Sequence, residues 1–587
     1  MASVLTTATI NALISSYETT QRNILVQPLT DRQSNYEKLN TAYSDITTKL
    51  NTLKSALYTL KQTQNDSAFA AKSSTTSNSN TVTASAGNSA GAGSYSFHVN
   101  QLAKSDVAVS INLDSATSNA ITGTHTFQIK TGDGDGGEFI SNVEVEFDGS
   151  ETNQTMMEAI RDAINSDSAV ITSDAKTGTD SYTGGAGEFT IDLNGTEKTI
   201  NYSGGGTYED LIDEIASYIN TNVDGVTAEK ISDSPNPGDV KLQLSVDNSS
   251  NYISITHSSG FDVVSDLNIS ATKEKAASSV ITASVFSPTS GKSQFSLTAK
   301  DTGIDYRITG LQDTGSSSAL NELGLNLSTT RTAFDQSGNV AGFVYSDITD
   351  SNNLLNAKFT FNGLSLQNSL NQVSDLVNDT TFSLKAVQDV SDPDVSIKIA
   401  TDTSAIKTSL ENFIKAYNDI YTYLKDQSKS TADARGVLSG QANASSLLDM
   451  LRNVAYNPVS GMGEGNLKYL TQLGITFNYN TGLSISNATL LEKKLSENTD
   501  EVENMFNNST SGIAVTMYSS IDPYLGAGGY LALSKASFDN NISYIKTRIT
   551  SVEDRISKGS ENLRNQYEKL QSQLDMLNNL STQFFGA

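Results

Sequence analysis

The hydrophobic positions near the start of the chain follow a seven-residue repeat. From Leu29 onward, apolar side chains recur at steps of seven, three and four residues, the spacing of the apolar seam of a coiled-coil helix. Position a of the repeat holds Leu29, Tyr36, Tyr43, Leu50 and Leu57, and position d holds Leu39, Ile46, Leu53 and Leu60. Only Arg32 interrupts the pattern. The spacing therefore predicts a long amphipathic helix over residues 29–60.

The end of the chain carries a second seam of the same kind. Its apolar positions are Ile542, Ile545, Ile549, Val552, Ile556, Leu563, Tyr567, Leu570, Leu574 and Leu577. The alternation shifts phase near Gly559, as it does at a stutter. Each seam alone fits either the buried face of a bundle helix or a coiled coil. Two seams at opposite ends favour pairing of the terminal helices, which would present the intervening sequence as an insertion.

The inner part of the chain changes from helical to strand-like periodicity. A third helical pattern, which we assign to the same stem, consists of Ile406, Leu410, Phe413, Tyr417, Ile420 and Leu424. Residues 475–485 alternate as a β-hairpin and precede another helix. Between residues 73 and 350 short alternating runs predict strands, and residues 124–165 resemble residues 187–220. Each of these repeated units reads as a strand pair followed by one amphipathic helix.

These patterns predict an α+β multidomain protein. Terminal coiled-coil helices form an α-helical stem from residues 29–72 and 535–587, after a disordered N-terminal segment at residues 1–28. A mixed α/β middle domain comprises residues 73–113 and 351–534. Residues 114–350 form the β-rich inserted tip domains, in which residues 189–270 are one repeat unit.

Length and charge restrict the functional class. The chain has 587 residues, too many for one compact core, and its formal net charge is -26. That charge repels phosphate groups, so nucleic acid and anionic membrane surfaces are excluded as partners. The absence of cysteine excludes disulfides, thiolate metal sites and cysteine nucleophiles. The first 20 residues lack the basic and apolar regions of a cleaved signal peptide, and no window reaches the length of an apolar membrane span.

Candidate catalytic and metal-binding motifs are all unconvincing. Gly87–Gly91 matches the nucleophile-elbow pattern, but a strand rather than a helix follows it. The three histidines, His98, His125 and His257, stand singly on strand-like segments. Asp133–Glu144 resembles a calcium loop but has Gly137 in place of a ligand and Glu138 in place of the turn glycine. We therefore predict no catalytic residue, no metal site and no cofactor.

Six segments in the same order carry a family resemblance. Residues 94–107, 359–387, 396–425, 435–453, 470–506 and 555–584 resemble the flagellar hook-associated protein 2 family, the filament cap proteins. The repeated units resemble the small β-plus-helix motif inserted in flagellins and hook-associated proteins. The resemblance covers nearly the whole chain and is weakest between residues 114 and 350, where this family varies.

The resemblance implies a function in filament assembly. Cap proteins of this kind form a homo-oligomeric ring at the distal end of the flagellar filament and help flagellin to fold and insert. The resemblance also implies an extracellular location at the filament tip, reached through the flagellar type III export apparatus with an export chaperone and without a cleaved signal peptide. The two terminal seams would then be the assembly residues, contacting each other and neighbouring subunits or flagellin.

Two other functional classes remain open. A hook-filament junction protein would share the terminal helices and the export route, although residues 470–506 argue against it. A surface adhesin would bind a host surface ligand through residues 114–350. An enzyme is the least favoured class, because no constellation of residues with workable geometry is found.

Overall fold

The structure is a computed structural model that divides into two compact units. It describes residues 5–233, 236–328, 331–349, 353–431, 435–461, 463 and 466–585, the side chain of Phe585 excepted. The helical unit comprises residues 1–73, 87–92 and 400–587, and the β-rich unit comprises residues 74–86 and 93–399. The predicted α+β class is confirmed. The predicted grouping of residues 351–534 with 73–113 differs from this division, because residues 400–534 pack with the terminal helices.

The α-helices are α1 Thr7–Gln21, α2 Gln27–Lys61, α3 Asn153–Ser166, α4 Tyr208–Asn222, α5 Val263–Asp266, α6 Ala277–Val280, α7 Ala319–Glu322, α8 Thr403–Gln427, α9 Ala442–Tyr456, α10 Ala488–Glu497, α11 Thr499–Asn507, α12 Ile513–Ile521 and α13 Tyr530–Phe585. A π-helical turn, Arg22–Val26, joins α1 to α2.

The strands of the first half are β1 Lys72–Thr76, β2 Val82–Ala86, β3 Gly93–Gln101, β4 Ser105–Val109, β5 Leu113–Asp114, β6 Thr122–Gly132, β7 Glu138–Asp148, β8 Val170–Thr172, β9 Lys176–Thr177, β10 Gly187–Leu193, β11 Thr196–Tyr202, β12 Val226–Asp233, β13 Asn236–Val246 and β14 Tyr252–Gly260. Those of the second half are β15 Ala271–Lys275, β16 Ile281–Phe286, β17 Lys292–Thr302, β18 Ile308–Asp313, β19 Gly342–Phe343, β20 Ala357–Phe361, β21 Leu364–Asn368, β22 Gln372–Val377, β23 Thr380–Leu384, β24 Val395–Thr401, β25 Ile475–Asn478 and β26 Gly482–Ile485.

One hydrophobic core holds the helical unit together. The apolar face of α2 packs with α8, α12 and the start of α13, and α9 joins the same core through α8 and α12. Each of these helices contributes buried Leu, Ile or aromatic side chains. The hairpin predicted at residues 475–485 is present, with Ile475 opposite Ile485. It is fixed to α8 because the Tyr421 hydroxyl donates to the Tyr479 carbonyl at 2.8 Å. Burial of large apolar side chains therefore explains why the two ends of the chain meet.

The segment predicted to be disordered, residues 1–28, is helical over most of its length. Residues 1–4 lie outside the described part, α1 begins at Thr7, and the Thr6 hydroxyl caps it by accepting a hydrogen bond from the Thr9 amide at 3.2 Å. Ile10 and Ile14, four residues apart, are buried against α13. Two apolar residues one turn apart are too weak a pattern to predict a helix, but they are sufficient when a long neighbouring helix covers them.

The β-rich unit contains a two-sheet sandwich. Its five-stranded sheet has the order β1-β24-β3-β20-β21, and its three-stranded sheet has the order β2-β23-β22. Phe97 of β3 packs on Phe382 of β23 with ring centroids 4.8 Å apart, and Phe359 of β20 lies beside it at 5.9 Å. This aromatic core joins the two sheets.

The rest of the β-rich unit forms two lobes, each with its own core. Lobe A comprises residues 108–164 and 277–343, and lobe B comprises residues 169–276. Lobe A contains the pair β6 and β7 followed by α3, and lobe B contains the pair β10 and β11 followed by α4. A seven-stranded sheet of order β11-β10-β14-β15-β7-β6-β18 runs through both lobes. The same strand-strand-helix order therefore occurs twice, as the sequence repeat predicts.

The two repeated helices, α3 and α4, begin with the same type of N-terminal cap. Thr152 and Thr207 each accept a hydrogen bond from the backbone amide three residues later, and the side chains of Thr155 and Asp210 accept hydrogen bonds from the amides of Thr152 and Thr207. These capping boxes satisfy amides that a helix leaves without internal partners.

We expect Thr207→Ala to lower the free energy of unfolding of lobe B by about 1 kcal/mol, because a helix N-cap is lost. Urea unfolding followed by circular dichroism measures the change. Thr221→Ala is the matched control, since Thr221 lies inside α4 and its hydroxyl only donates to the Ser217 carbonyl. Equal stability of the two variants would contradict a capping function for Thr207.

Candidate assembly surface on the terminal helices

The N-terminal seam is an internal core and not a free surface. Seven of its predicted assembly residues are buried in the helical unit: Leu39, Tyr43, Ile46, Leu50, Leu53, Leu57 and Leu60. Leu29 and Tyr36 are half-buried. Leu53 and Leu57 are 0% exposed, so a neighbouring subunit cannot reach them without unfolding the unit. The periodicity of α2 is that of a bundle helix, one of the two alternatives that its sequence leaves open.

The two terminal helices do contact each other. The Tyr43 ring packs edge-on against Phe538 of α13 with centroids 5.1 Å apart. The Asn40 side chain donates to the Asp539 carboxylate at 2.6 Å. Nearer the start of the chain, the Arg22 guanidinium pairs with the Glu553 carboxylate at 3.0 Å. The chain therefore runs antiparallel along α13, so that earlier residues meet later ones.

The phase shift of the second seam coincides with the place where α1 lies on α13. A side-chain carbon at Gly559 would come within 2.5 Å of the Tyr17 hydroxyl, so glycine leaves the room that this ring occupies. One turn further on, Arg564 donates to the Asn11 side chain at 2.7 Å. Ile556 is buried, whereas Ile549 and Val552 are half-buried. The shift in the hydrophobic pattern thus marks the docking of α1.

Past this contact the second seam becomes exposed. Leu563 and Tyr567 are half-buried, but Leu570, Leu574 and Leu577 are 45%, 38% and 64% exposed. Further apolar side chains on the same end of α13 are also exposed: Met576, Leu580 and Phe584. Of the apolar side chains described from Leu570 to Phe584, none is buried. We use the name terminal stripe for these six exposed side chains: Leu570, Leu574, Met576, Leu577, Leu580 and Phe584. A contiguous exposed apolar surface of this kind is typical of an interaction site.

The candidate chemical residues have structural partners. His125 accepts a hydrogen bond from the Ser318 amide at 3.0 Å, and His98 and His257 lie near Asp394 and Asp262. In the segment that resembles a calcium loop, Asp133 accepts hydrogen bonds from two backbone amides and pairs with Lys273. Gly87–Gly91 forms a turn closed by the Ala90 amide and leads into β3.

The described residues hold neither a metal-binding cluster nor a membrane-spanning helix. Those residues contain no group of three His, Cys, Asp or Glu side chains arranged to hold a metal ion. Within the same part of the chain, no helix combines the length and apolar character needed to cross a bilayer.

The geometry defines a class of protein: a helical stem built from both ends of the chain, with β-rich lobes inserted between them. Two family models match those ends. The model of the flagellar hook-associated protein 2 N-terminus matches residues 6–106, and that of the C-terminus of the same protein matches residues 355–579. Together they cover more than half of the chain, which belongs to the flagellar hook-associated protein 2 family.

Individual relatives agree with this assignment. The A-type flagellar hook-associated protein 2 of Pseudomonas aeruginosa is 26% identical over 232 residues, which are 38% of this chain and 47% of the relative. The flagellar hook-associated protein 2 of Escherichia coli K12 is 22% identical over 313 residues, 51% of this chain and 62% of the relative. The chain thus spans about half to three fifths of the length of these relatives.

Among solved structures, the D1-D2-D3 domains of the flagellar cap protein FliD from Escherichia coli are similar, with a TM-score of 0.44 and 20% identity. That match covers 85% of this chain and 99% of the other.

The two halves of the predicted seam should respond differently to truncation. We expect Leu53→Ala to lower the free energy of unfolding of the helical unit by about 2–5 kcal/mol, because it leaves a cavity in the core. Leu577→Ala should change it by less than about 0.5 kcal/mol, because the side chain is already exposed. Urea unfolding followed by circular dichroism distinguishes the two. Similar losses for both variants would contradict the division of the seam.

Proposed function

We propose that this protein is the structural cap at the distal end of a bacterial flagellar filament. It assembles into a homo-oligomeric ring and promotes the folding and insertion of flagellin during filament growth, so that cells need it for motility. The protein acts through binding and shape, without catalysis. The observation that carries the proposal is the position of the terminal stripe. The stripe is an exposed apolar seam at the end of α13, and the family model of the C-terminus matches this helix up to residue 579.

The terminal stripe supplies the attraction for assembly. Its six side chains lie on a helix that α1 covers only as far as Leu563 and Tyr567. Burying such side chains contributes roughly 1.5–3 kcal/mol each when they are fully covered, and a helical partner can cover them at the same spacing. We infer that the stripe is covered by neighbouring copies of this chain or by flagellin in the assembled filament.

Export fits the same proposal. The protein would leave the cell through the flagellar type III apparatus, and an export chaperone would cover the terminal stripe beforehand. A chain without cysteine can be threaded unfolded and refold outside without forming wrong disulfides. The final location is then the filament tip.

Truncating the stripe should abolish motility without unfolding the chain. We expect cells carrying Leu570→Ala together with Leu577→Ala to export a folded protein that fails to cap filaments, so swimming zones in soft agar shrink to those of a deletion strain. The matched control is Leu533→Ala, since Leu533 lies on the same helix and is 58% exposed but is outside the stripe. Normal swimming of the double variant would rule out the stripe as the assembly surface.

The location is tested independently by immunogold labelling of intact cells with antibody to residues 114–349. We expect gold at the distal ends of filaments. Gold at the hook-filament junction would instead indicate a junction protein, and gold over the cell body would indicate an adhesin.

A further inference from the structure

The two lobes of the β-rich unit are joined through a narrow neck. The chain enters lobe B after α3, at Asp167, and returns to lobe A at Ala277. The two crossings are tied together, because the Asp167 carboxylate accepts a hydrogen bond from the Ala277 amide at 2.6 Å. The Ser278 hydroxyl also donates to the Asp167 carbonyl. Any movement of one lobe relative to the other must strain these contacts.

A second set of contacts closes the neck through the sheet. Strand β15 of lobe B meets β7 of lobe A in parallel at a single pair of residues, Glu274 and Ile140. The Glu274 carboxylate accepts hydrogen bonds from the amide of Asn142 at 2.9 Å and from its side chain at 2.7 Å. The Ser141 hydroxyl donates to the Lys275 carbonyl at 2.6 Å. Beside these contacts, the Lys273–Asp133 ion pair and the packing of the Phe139 and Tyr252 rings also join the two lobes.

Glu274 is a buried carboxyl group that forms no ion pair with a described residue. It is 5% exposed, and its described hydrogen-bond partners are the two neutral donors of Asn142. The lysines on either side of it are engaged elsewhere: Lys273 pairs with Asp133, and the Lys275 ammonium lies 4.2 Å from the centre of the Phe139 ring. Burying an ionised carboxylate without a counter-ion is costly.

The other charged groups around Glu274 do not relieve that cost. Asp167, at the end of α3, carries the same charge and disfavours ionisation of Glu274. Lys300 of β17 donates to the Ser278 carbonyl. On the neighbouring strands, Glu144 lies two residues beyond Asn142, and Lys130 of β6 pairs with Ile140. Neither is among the ion pairs of the described residues.

Burial makes ionisation of both neck carboxyl groups more costly than in water, and the hydrogen bonds donated by Ala277 and Asn142 offset only part of that cost. Burial raises the pKa of Glu274 from 4.5 to about 7, with Asp167 adding to the effect, and burial raises the pKa of Asp167 from 3.8 to about 6. A carboxyl whose pKa is raised on folding binds more protons in the folded state than in the unfolded one. The stability of the neck is then greatest below the ordinary carboxyl range and falls as pH rises through about 6 to about 7.

We propose that the neck between lobe A and lobe B is a proton-controlled hinge. Protonated Glu274 and Asp167 keep the lobes closed on each other, and loss of the protons places two like charges in the neck and loosens it. Lobe B then moves more freely in neutral or alkaline surroundings than in mildly acidic ones. The hinge does not depend on the filament function, because its contacts lie entirely within the β-rich unit.

Hydrogen exchange of the full chain followed by mass spectrometry tests the hinge. After correction for intrinsic exchange rates, the opening constant of peptides covering residues 138–146 and 271–280 should rise about tenfold or more between about pH 5.5 and about pH 7.5. Peptides from β13, inside lobe B, should change much less. If the opening constant of the neck peptides in the unchanged protein is the same at both pH values, the proposal is wrong.

Substitution isolates the responsible group. We expect Glu274→Gln, which keeps an oxygen acceptor for one of the two Asn142 donors, to remove most of the pH dependence, and Asp167→Asn to reduce it. Glu229→Gln, at an exposed position of lobe B, should leave it unchanged. Full pH dependence in folded Glu274→Gln would overturn the assignment to Glu274. If that variant does not fold, Asp167→Asn and the unchanged protein still decide the result.

Discussion

The burial of the apolar face of α2 is the constraint on which the rest of the structure depends. Its apolar side chains are buried against α8, α12 and α13, so residues near the start of the chain are held beside residues from its last third. Once both ends are fixed in one core, everything between β1 and β24 must leave and return close to the same place. The insertion of β-rich lobes into a helical unit is thus a geometric consequence of one hydrophobic seam.

The same interaction explains why part of the second seam is exposed. Because the terminal helices run antiparallel, Asn40 meets Asp539, Arg22 meets Glu553 and Asn11 meets Arg564. The apolar residues from Leu570 onward lie beyond the last of these contacts and are exposed. The apolar seam of α13 is therefore longer than the helices that cover it. One part of the seam packs inside the helical unit, and the other part is an exposed apolar surface.

The sequence predicts the helices well but not which of them are covered. Heptad spacing is identical at Leu53 and Leu577, yet Leu53 is buried in the helical core and Leu577 is 64% exposed, because the spacing does not reveal which neighbouring helices cover each position. Helix α1 itself escapes prediction, since Ile10 and Ile14 form too short a pattern to be recognised without α13 beside them. Strand pairs and repeated helices are predicted from local alternation and caps. The neck is not, because Glu274 and Asp167 lie more than a hundred residues apart and only the fold brings them together.

The helical unit, lobe A and lobe B have separate cores, so the sequence of each can change independently of the others. Lobe A and lobe B each bury their own aliphatic and aromatic side chains, and those residues are distinct from the ones that hold α2, α8 and α13. A substitution in a lobe therefore alters the stability of that lobe without disturbing the seam. The family models show the corresponding division, since they match residues 6–106 and 355–579 and leave the lobes between them unmatched. The physical reason is that α2, α8 and α13 share one core and must keep mutually fitting apolar faces, whereas each lobe has only its own core to fill.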